Sequence, residues 1–269
     1  MKKLTKLTKP TKPTHMKKMT KLMTALLLAL TLTPILQSCD NDEGTGYSIG
    51  DFTPPLWATT HVTGNAFYLD CDVWGTLWPV NIDLGWYRPT EGERVITSFN
   101  PLQDDYQGYD HAVKLYTLQP VLTKQVETLT ADNAEEFGDD PITIYKGDMS
   151  ISGGHLNVIF LQDVPSREKH RITLVRPESD EDFIDAEGYI RLQLLYNTYD
   201  DTTPYQAFGA VSYNLKSIDE ALETAKGVKI TLNSKVNGHV EVTFNKESED
   251  EDTTLSRREG LDISEMKMR

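Results

Sequence analysis

From Trp57 onward most of the chain alternates apolar with polar residues. In AFYLDCDV (66–73) every second residue, Phe67, Leu69, Cys71 and Val73, is apolar. A period of two turns one side of an extended strand toward a core. TLWPVNI (76–82) follows a Trp-Gly turn. GERVITSF (92–99) puts Val95, Thr97 and Phe99 on one face, and GYDHAVKLYTLQPVL (108–122) holds Val113 and Leu115 in phase against Lys114. Short strands separated by Gly, Pro, Asn and Asp predict a barrel or sandwich, and about five strands over 57–124 suit an OB-like barrel.

The second half repeats the signal. Leu156, Val158 and Phe160 alternate, as do Ile172 and Leu174, and Ile190, Leu192, Leu194 and Tyr196. AVSYNL (210–215), VKITL (228–232) and HVEVTF (239–244) complete about seven strands. Half-buried alternation disfavours a wholly parallel sheet, which reads as continuous apolar runs. The expected fold is therefore all-β: an N-terminal OB-like barrel followed by a C-terminal antiparallel β-sandwich with one short helix. Ser217 and Glu220 form a capping-box pattern for that helix, IDEALETAK, with Gly227 beyond its end. Around Asn237-Gly238, a three-residue loop pairs Leu232 with Val242 and Ile230 with Phe244, leaving Gly238 left-handed.

Punctuation divides the chain. TADNAEEFGDDP (130–141) carries one helical turn and marks the candidate boundary between domains. The expected organisation is a leader over 1–38, a tether over 39–55, the barrel over 56–128, the sandwich over 129–246 and a disordered acidic tail over 247–269. The sixteen residues 40–55 behave as a flexible linker with an r.m.s. reach of about 22 Å.

The leader carries Lys2, Lys3, Lys6, Lys9, Lys12, Lys17, Lys18 and Lys21 and no acid, then an apolar core, LMTALLLALTL (22–32). Eleven residues fall short of the ~20 that span a bilayer and suit the h-region of a signal peptide. Met16 would start a leader of ordinary length, in place of Met1. The h-region ends in Leu36-Gln37-Ser38-Cys39, which resembles the lipobox of bacterial lipoproteins. That resemblance implies recognition of Leu36, Gln37 and Ser38 by the peptidase, cleavage before Cys39, a diacylglycerol thioether on its sulfur and acylation of the new amino group. Two or more chains anchor stably where one holds marginally. Asp40, Asp42 and Glu43 resemble the acidic signal that sends lipoproteins to the outer face of the outer membrane. The expected location is the outer membrane, lipid-anchored and exposed at the cell surface.

Charge and chemistry narrow the function classes. The whole chain counts −14, and removing eight leader lysines leaves −22, which repels phosphate backbones and excludes a nucleic-acid partner. With Cys39 acylated, Cys71 is the remaining thiol and its parity places it in the core. No HExxH, CxxC, GxSxG, Walker or GxGxxG pattern occurs, so no metal, cofactor or catalytic residue is expected. SDEDFIDAEG (179–188) lacks the alternating oxygens and sixth-position Gly of a calcium loop. Trp57, Trp74, Trp78 and Trp86 fall within one short stretch. They form a candidate aromatic platform for sugar rings, or the bulky filling a small barrel needs.

The lipobox together with LDCDVWGTLWPVN, EGERVITSFNPLQDDYQGYDHAVKLYTLQPVLTK and DDPITIYKGDMSISGGHLNVIF resembles the NigD-like family of lipoproteins. The resemblance implies an OB domain followed by a β-sandwich and carries no catalytic residues. The expected function is a non-enzymatic binding or adaptor protein for a glycan or an envelope protein. The alternatives are a structural accessory subunit of an outer-membrane complex and a hydrolase with an interdomain site. Replacing Cys39 by Ala is expected to move the protein from the membrane to the soluble fraction, as read by fractionation and immunoblotting.

Overall fold

The computed structural model describes residues 47–48, 50–81, 84–145 and 147–246, and the backbone of 263–268. The leader, Cys39 and the acids behind it lie outside the described residues. The N-terminal strands are β1 (Leu56–Thr63), β2 (Ala66–Cys71), β3 (Gly75–Pro79), β4 (Arg94–Tyr106) and β5 (Tyr109–Pro120). They form a closed barrel in the order β1-β2-β3-β5-β4, antiparallel except where β3 meets β5. The alternating residues line it as expected: Ala58, Leu69, Cys71, Leu77, Val95, Phe99, Val113, Leu115 and Leu118 are buried.

The remaining strands build two facing sheets. One runs β15-β14-β13-β11-β10-β7 and the other β6-β12-β9-β8. Their ranges are β6 (Leu122–Gln125), β7 (Glu127–Leu129), β8 (Met149–Ser152), β9 (His155–Asp163) and β10 (Arg171–Pro177). The later strands are β11 (Ile190–Asn197), β12 (Gln206–Asn214), β13 (Gly227–Ser234), β14 (Gly238–Asn245) and β15 (Ile263–Met268). Most pairs are antiparallel, and β6/β12, β7/β10 and β11/β13 are parallel. Leu156, Val158, Phe160, Leu174, Ile190, Leu192, Leu194, Val211, Tyr213, Val228, Ile230, Val242 and Phe244 form one apolar core between the sheets.

Four local expectations change. Strands β6 and β7 pair with the sandwich, so the chain leaves the barrel at Val121, not after residue 128. The stretch 130–141 carries the expected helical turn, α1 (Ala134–Phe137) with Phe137 buried, but it lies within the sandwich and not at its boundary. The tether is shorter than residues 39–55, because Ser48, Gly50 and Thr53 are tied along β4. Thr53 N–H donates to Phe99 O (2.9 Å), Gly50 N–H to Asn100 Oδ1 (2.8 Å) and Asn100 Nδ2 to Ser48 O (3.1 Å). Those donors take up the edge of β4 that β1 leaves unpaired beyond Thr97. The expected disordered tail contributes an edge strand, β15, on β14, while 247–262 lie outside the described residues.

The helix and the last hairpin differ in detail. A 3₁₀ turn over Lys216–Ile218 precedes α3 (Asp219–Thr224) and absorbs Ser217, so Ile218 stands at the N-cap with no side-chain cap bond. Gly227 opens β13 three residues past the helix. Between α1 and α3 lies α2 (Asp180–Phe183), capped by Ser179. In the hairpin, Gly238 is left-handed as expected (φ 68°), but Ser234 pairs with Gly238, so Ile230 faces Val242 and Leu232 faces Val240. The two-residue slip preserves which face is buried, which is what parity alone constrains.

One polar constellation joins the two halves. Arg94, fully buried at the start of β4, makes a bidentate pair with Asp72 (Nη1–Oδ1 2.7 Å, Nη2–Oδ2 2.5 Å). Its Nη1 also donates to Thr59 Oγ1 (2.9 Å) and its Nη2 to Asn157 Oδ1 of β9 (3.2 Å). From the sandwich, Ser152 Oγ donates to Asp72 Oδ2 (2.5 Å), Asn157 Nδ2 to Ser152 Oγ (3.0 Å) and Ser212 Oγ to Asn157 Oδ1 (2.7 Å). The Arg94 backbone holds the crossover, donating to Thr123 Oγ1 (3.0 Å) and accepting from Val121 N–H (2.8 Å). Gly153 (φ 54°) lets the sandwich approach, since a Cβ there would lie 2.3 Å from Asp72 Oδ1.

A second buried carboxylate fixes the loops of the sandwich. Asp201 accepts from Ser166 Oγ, from Arg167 N–H (2.6 Å) and from Glu168 N–H (2.7 Å). These donors, Ser166 first, hold its carboxyl well below the usual carboxylate range.

Removing Arg94 leaves the buried Asp72 carboxyl without its counter-ion. Arg94→Ala is therefore expected to cost about 3–5 kcal/mol. At about 2–4 °C per kcal/mol for this size, thermal unfolding should fall by at least ~6 °C. The depressed Asp201 group stabilises the fold above its unfolded pKa and loses that contribution as pH falls through the folded value. The stability gap between wild type and Asp201→Ala should stay constant near neutrality and close below about pH 4 in denaturant titrations.

Candidate binding site

The β2–β3 turn and the β4–β5 hairpin meet at one end of the barrel. After Cys71 the chain turns through Asp72, Val73 and Trp74 to Gly75. Gly75 has φ 71°, and a Cβ would lie 2.4 Å from Asp110 Oδ2. The turn sends Asp72 to the sandwich and lays Trp74 over the barrel end. Trp74 packs edge-on against Phe99 (5.6 Å between centroids) and His111 (5.1 Å), with Tyr47 at 6.2 Å.

Across from it the hairpin supplies acids. Asp104 Oδ1 meets His111 Nδ1 (2.6 Å) and accepts from Tyr47 Oη (3.1 Å). Asp110 Oδ2 accepts from Thr76 N–H (2.7 Å) and Thr76 Oγ1 (2.8 Å). Asp105 holds a left-handed backbone (φ 51°) close to the turn that joins β4 to β5. With Asp70 and Asp72 these side chains enclose an open cleft of about 660 Å³, closed on the sandwich side by Gly153. Cys71 lies beneath it, and burial pushes its thiol pKa up, which favours the inert protonated form.

The four tryptophans take separate places. Trp74 walls the cleft. Trp57 lies under the Arg94 guanidinium (5.8 Å). Trp78 packs on Tyr109 (4.8 Å), continuing a row through Tyr68 (5.2 Å) to His61 (5.0 Å), so each ring leans on the next. Trp86 is 61% exposed and stands edge-on to Tyr87. They assemble no common platform.

The acidic loop 179–188 is also closed from within. Asp185 accepts from Glu187 and Tyr189 N–H (2.9 and 3.0 Å) and from Lys229 Nζ (2.6 Å). Among the described residues, no three His, Cys, Asp or Glu side chains converge to hold a metal ion, and no helix is long and apolar enough to cross a membrane.

Sequence reasoning singled out Trp74 but not Tyr47, Asp70, Asp104, Asp105, Asp110 or His111. The signal was available in LDCDVWG and LQDDYQGYDH, two Asp-rich turns that a five-strand barrel brings to one end.

Comparison with known proteins gives a consistent picture. The model of the NigD-like N-terminal OB domain matches residues 59–121, and that of the NigD-like C-terminal beta sandwich domain matches 125–246. A protein of unknown function from Bacteroides vulgatus superposes with TM-score 0.64 at 26% identity, over 75% of this chain and 94% of that one. A NigD-like immunity protein from Bacteroides caccae superposes with TM-score 0.54 at 16% identity, over 70% and 91%. A candidate lipoprotein from Bacteroides fragilis does so with TM-score 0.50 at 11% identity, over 73% and 99%. No curated protein matches the chain.

Proposed function

The chain belongs to the NigD-like family, and from that premise we propose that it is a non-enzymatic binding protein, lipid-anchored through Cys39 in the outer membrane and displayed at the cell surface. The observation that carries the reading is the cleft of about 660 Å³ between Trp74 and the β4–β5 hairpin. Its carboxylates accept hydrogen bonds and an indole covers one wall, which suits the hydroxyls and apolar faces of a glycan. Asp72 is committed to Arg94 and Ser152, Asp104 to His111 and Tyr47, and Asp110 to Thr76. Carboxylates so engaged serve better as fixed acceptors than as the acid and base of a hydrolase.

The accessory-subunit reading draws on a different feature. Tyr205 and Phe208, 74% and 66% exposed, stand at the start of β12, where Phe208 pairs with Leu161. Such a surface suits contact with an envelope protein.

A glycan array probed with the soluble form lacking residues 1–39 tests the first reading. Wild type should bind at least one glycan class. Trp74→Ala should weaken that binding roughly tenfold, as loss of ~1.4 kcal/mol of ring contact requires. An array with no wild-type signal would remove the glycan reading.

A further inference from the structure

We propose that the flank of the barrel carrying Phe52, Tyr116 and Lys114 rests on the interfacial zone of the membrane that holds the lipid on Cys39. The inference rests on the anchoring read above and adds an orientation to it. Tyr47–Thr53 is fastened to β4 by backbone and side-chain bonds to Phe99 and Asn100 and by Tyr47 Oη on Asp104. Only Asp40–Gly46 remain between the acylated residue and this fixed strap. Eight Cα steps span at most ~26–29 Å and typically about 15 Å. That is shorter than the ~30 Å width of a small domain. The strap side of the barrel therefore lies against the bilayer, and the molecule cannot turn that side away.

The surface presented there fits an interface. Phe52 is 62% exposed and meets Tyr116, itself 41% exposed, edge-on at 4.4 Å. Lys114 Nζ lies 5.5 Å from the Tyr116 ring. Aromatic rings with an adjacent lysine are favoured at headgroup depth, where rings enter the acyl boundary and the ammonium stays wet. Asp51, the acid of the strap, is folded onto Ser48 N–H (2.8 Å). Two rings would not hold a free protein on a bilayer. A short tether raises the effective concentration of the surface enough for a weak contact to persist.

The test uses the intact acylated protein in phosphatidylcholine–phosphatidylethanolamine vesicles containing headgroup nitroxide lipid. A fluorophore is placed on Gln119→Cys, beside the patch on β5, or on Val236→Cys, in the sandwich hairpin. Buried Cys71 stays unlabelled. Quenching at 119 should exceed that at 236 several-fold, and Phe52→Ser with Tyr116→Ser should bring the two together without changing flotation. Equal quenching at 119 and 236 in floating vesicles would overturn the orientation alone. Quenching unchanged by the double substitution would overturn the role of the two rings. Failure to float would sink the anchor and the orientation with it.

Discussion

Everything about the relation between barrel and sandwich depends on a guanidinium withdrawn from water. Taking Arg94 and Asp72 into the interior costs several kcal/mol per ion, and the bonds to both Nη atoms and both carboxylate oxygens offset it while Arg94 Nε is left without a partner. The repayment is shared: Thr59 comes from the barrel, and Ser152 and Asn157 come from the sandwich. Neither half alone could keep this pair both dry and bonded. The same residue's backbone clasps Val121 and Thr123 at the crossover. A junction built this way fixes geometry, because a charge network tolerates displacement far less than an apolar contact does.

That rigidity sets the shape of the cleft. Its floor is the end of a closed barrel, one wall is the β4–β5 hairpin and another is the Gly153 turn of the sandwich. Since Asp72 belongs both to the junction and to the cleft lining, the docking of the domains and the form of the cavity are one arrangement. Tyr47 adds a third participant, because the residue that precedes the barrel touches both Trp74 and Asp104.

Sequence pattern revealed the fold well and the site poorly, for reasons visible in single residues. Parity is local, so Leu69, Val113, Leu192 and Val242 could be assigned to cores from neighbours a few positions away. Asn157 and Ser212 stand on the opposite parity and are buried all the same, because that side of the small sheet meets the barrel. Nothing within ten residues of Asn157 signals Arg94, sixty-three positions earlier. The hairpin at Gly238 shows the same limit: a slip of two leaves every apolar residue facing inward, so the pattern could not distinguish the registers. The cleft combines turns separated by about thirty residues, and the boundary at Val121 is marked only by Pro120 inside a run of strand-forming residues, a weaker signal than the Gly- and Asp-rich stretch at 130–141.

The sealed position of Cys71 has a consequence for how the folded chain meets an oxidant. Its thiol is 2% exposed and held in the protonated form, while nucleophilic exchange requires an accessible thiolate. Through Cys71 the folded chain presents no partner to oxidoreductases and no route to covalent dimers.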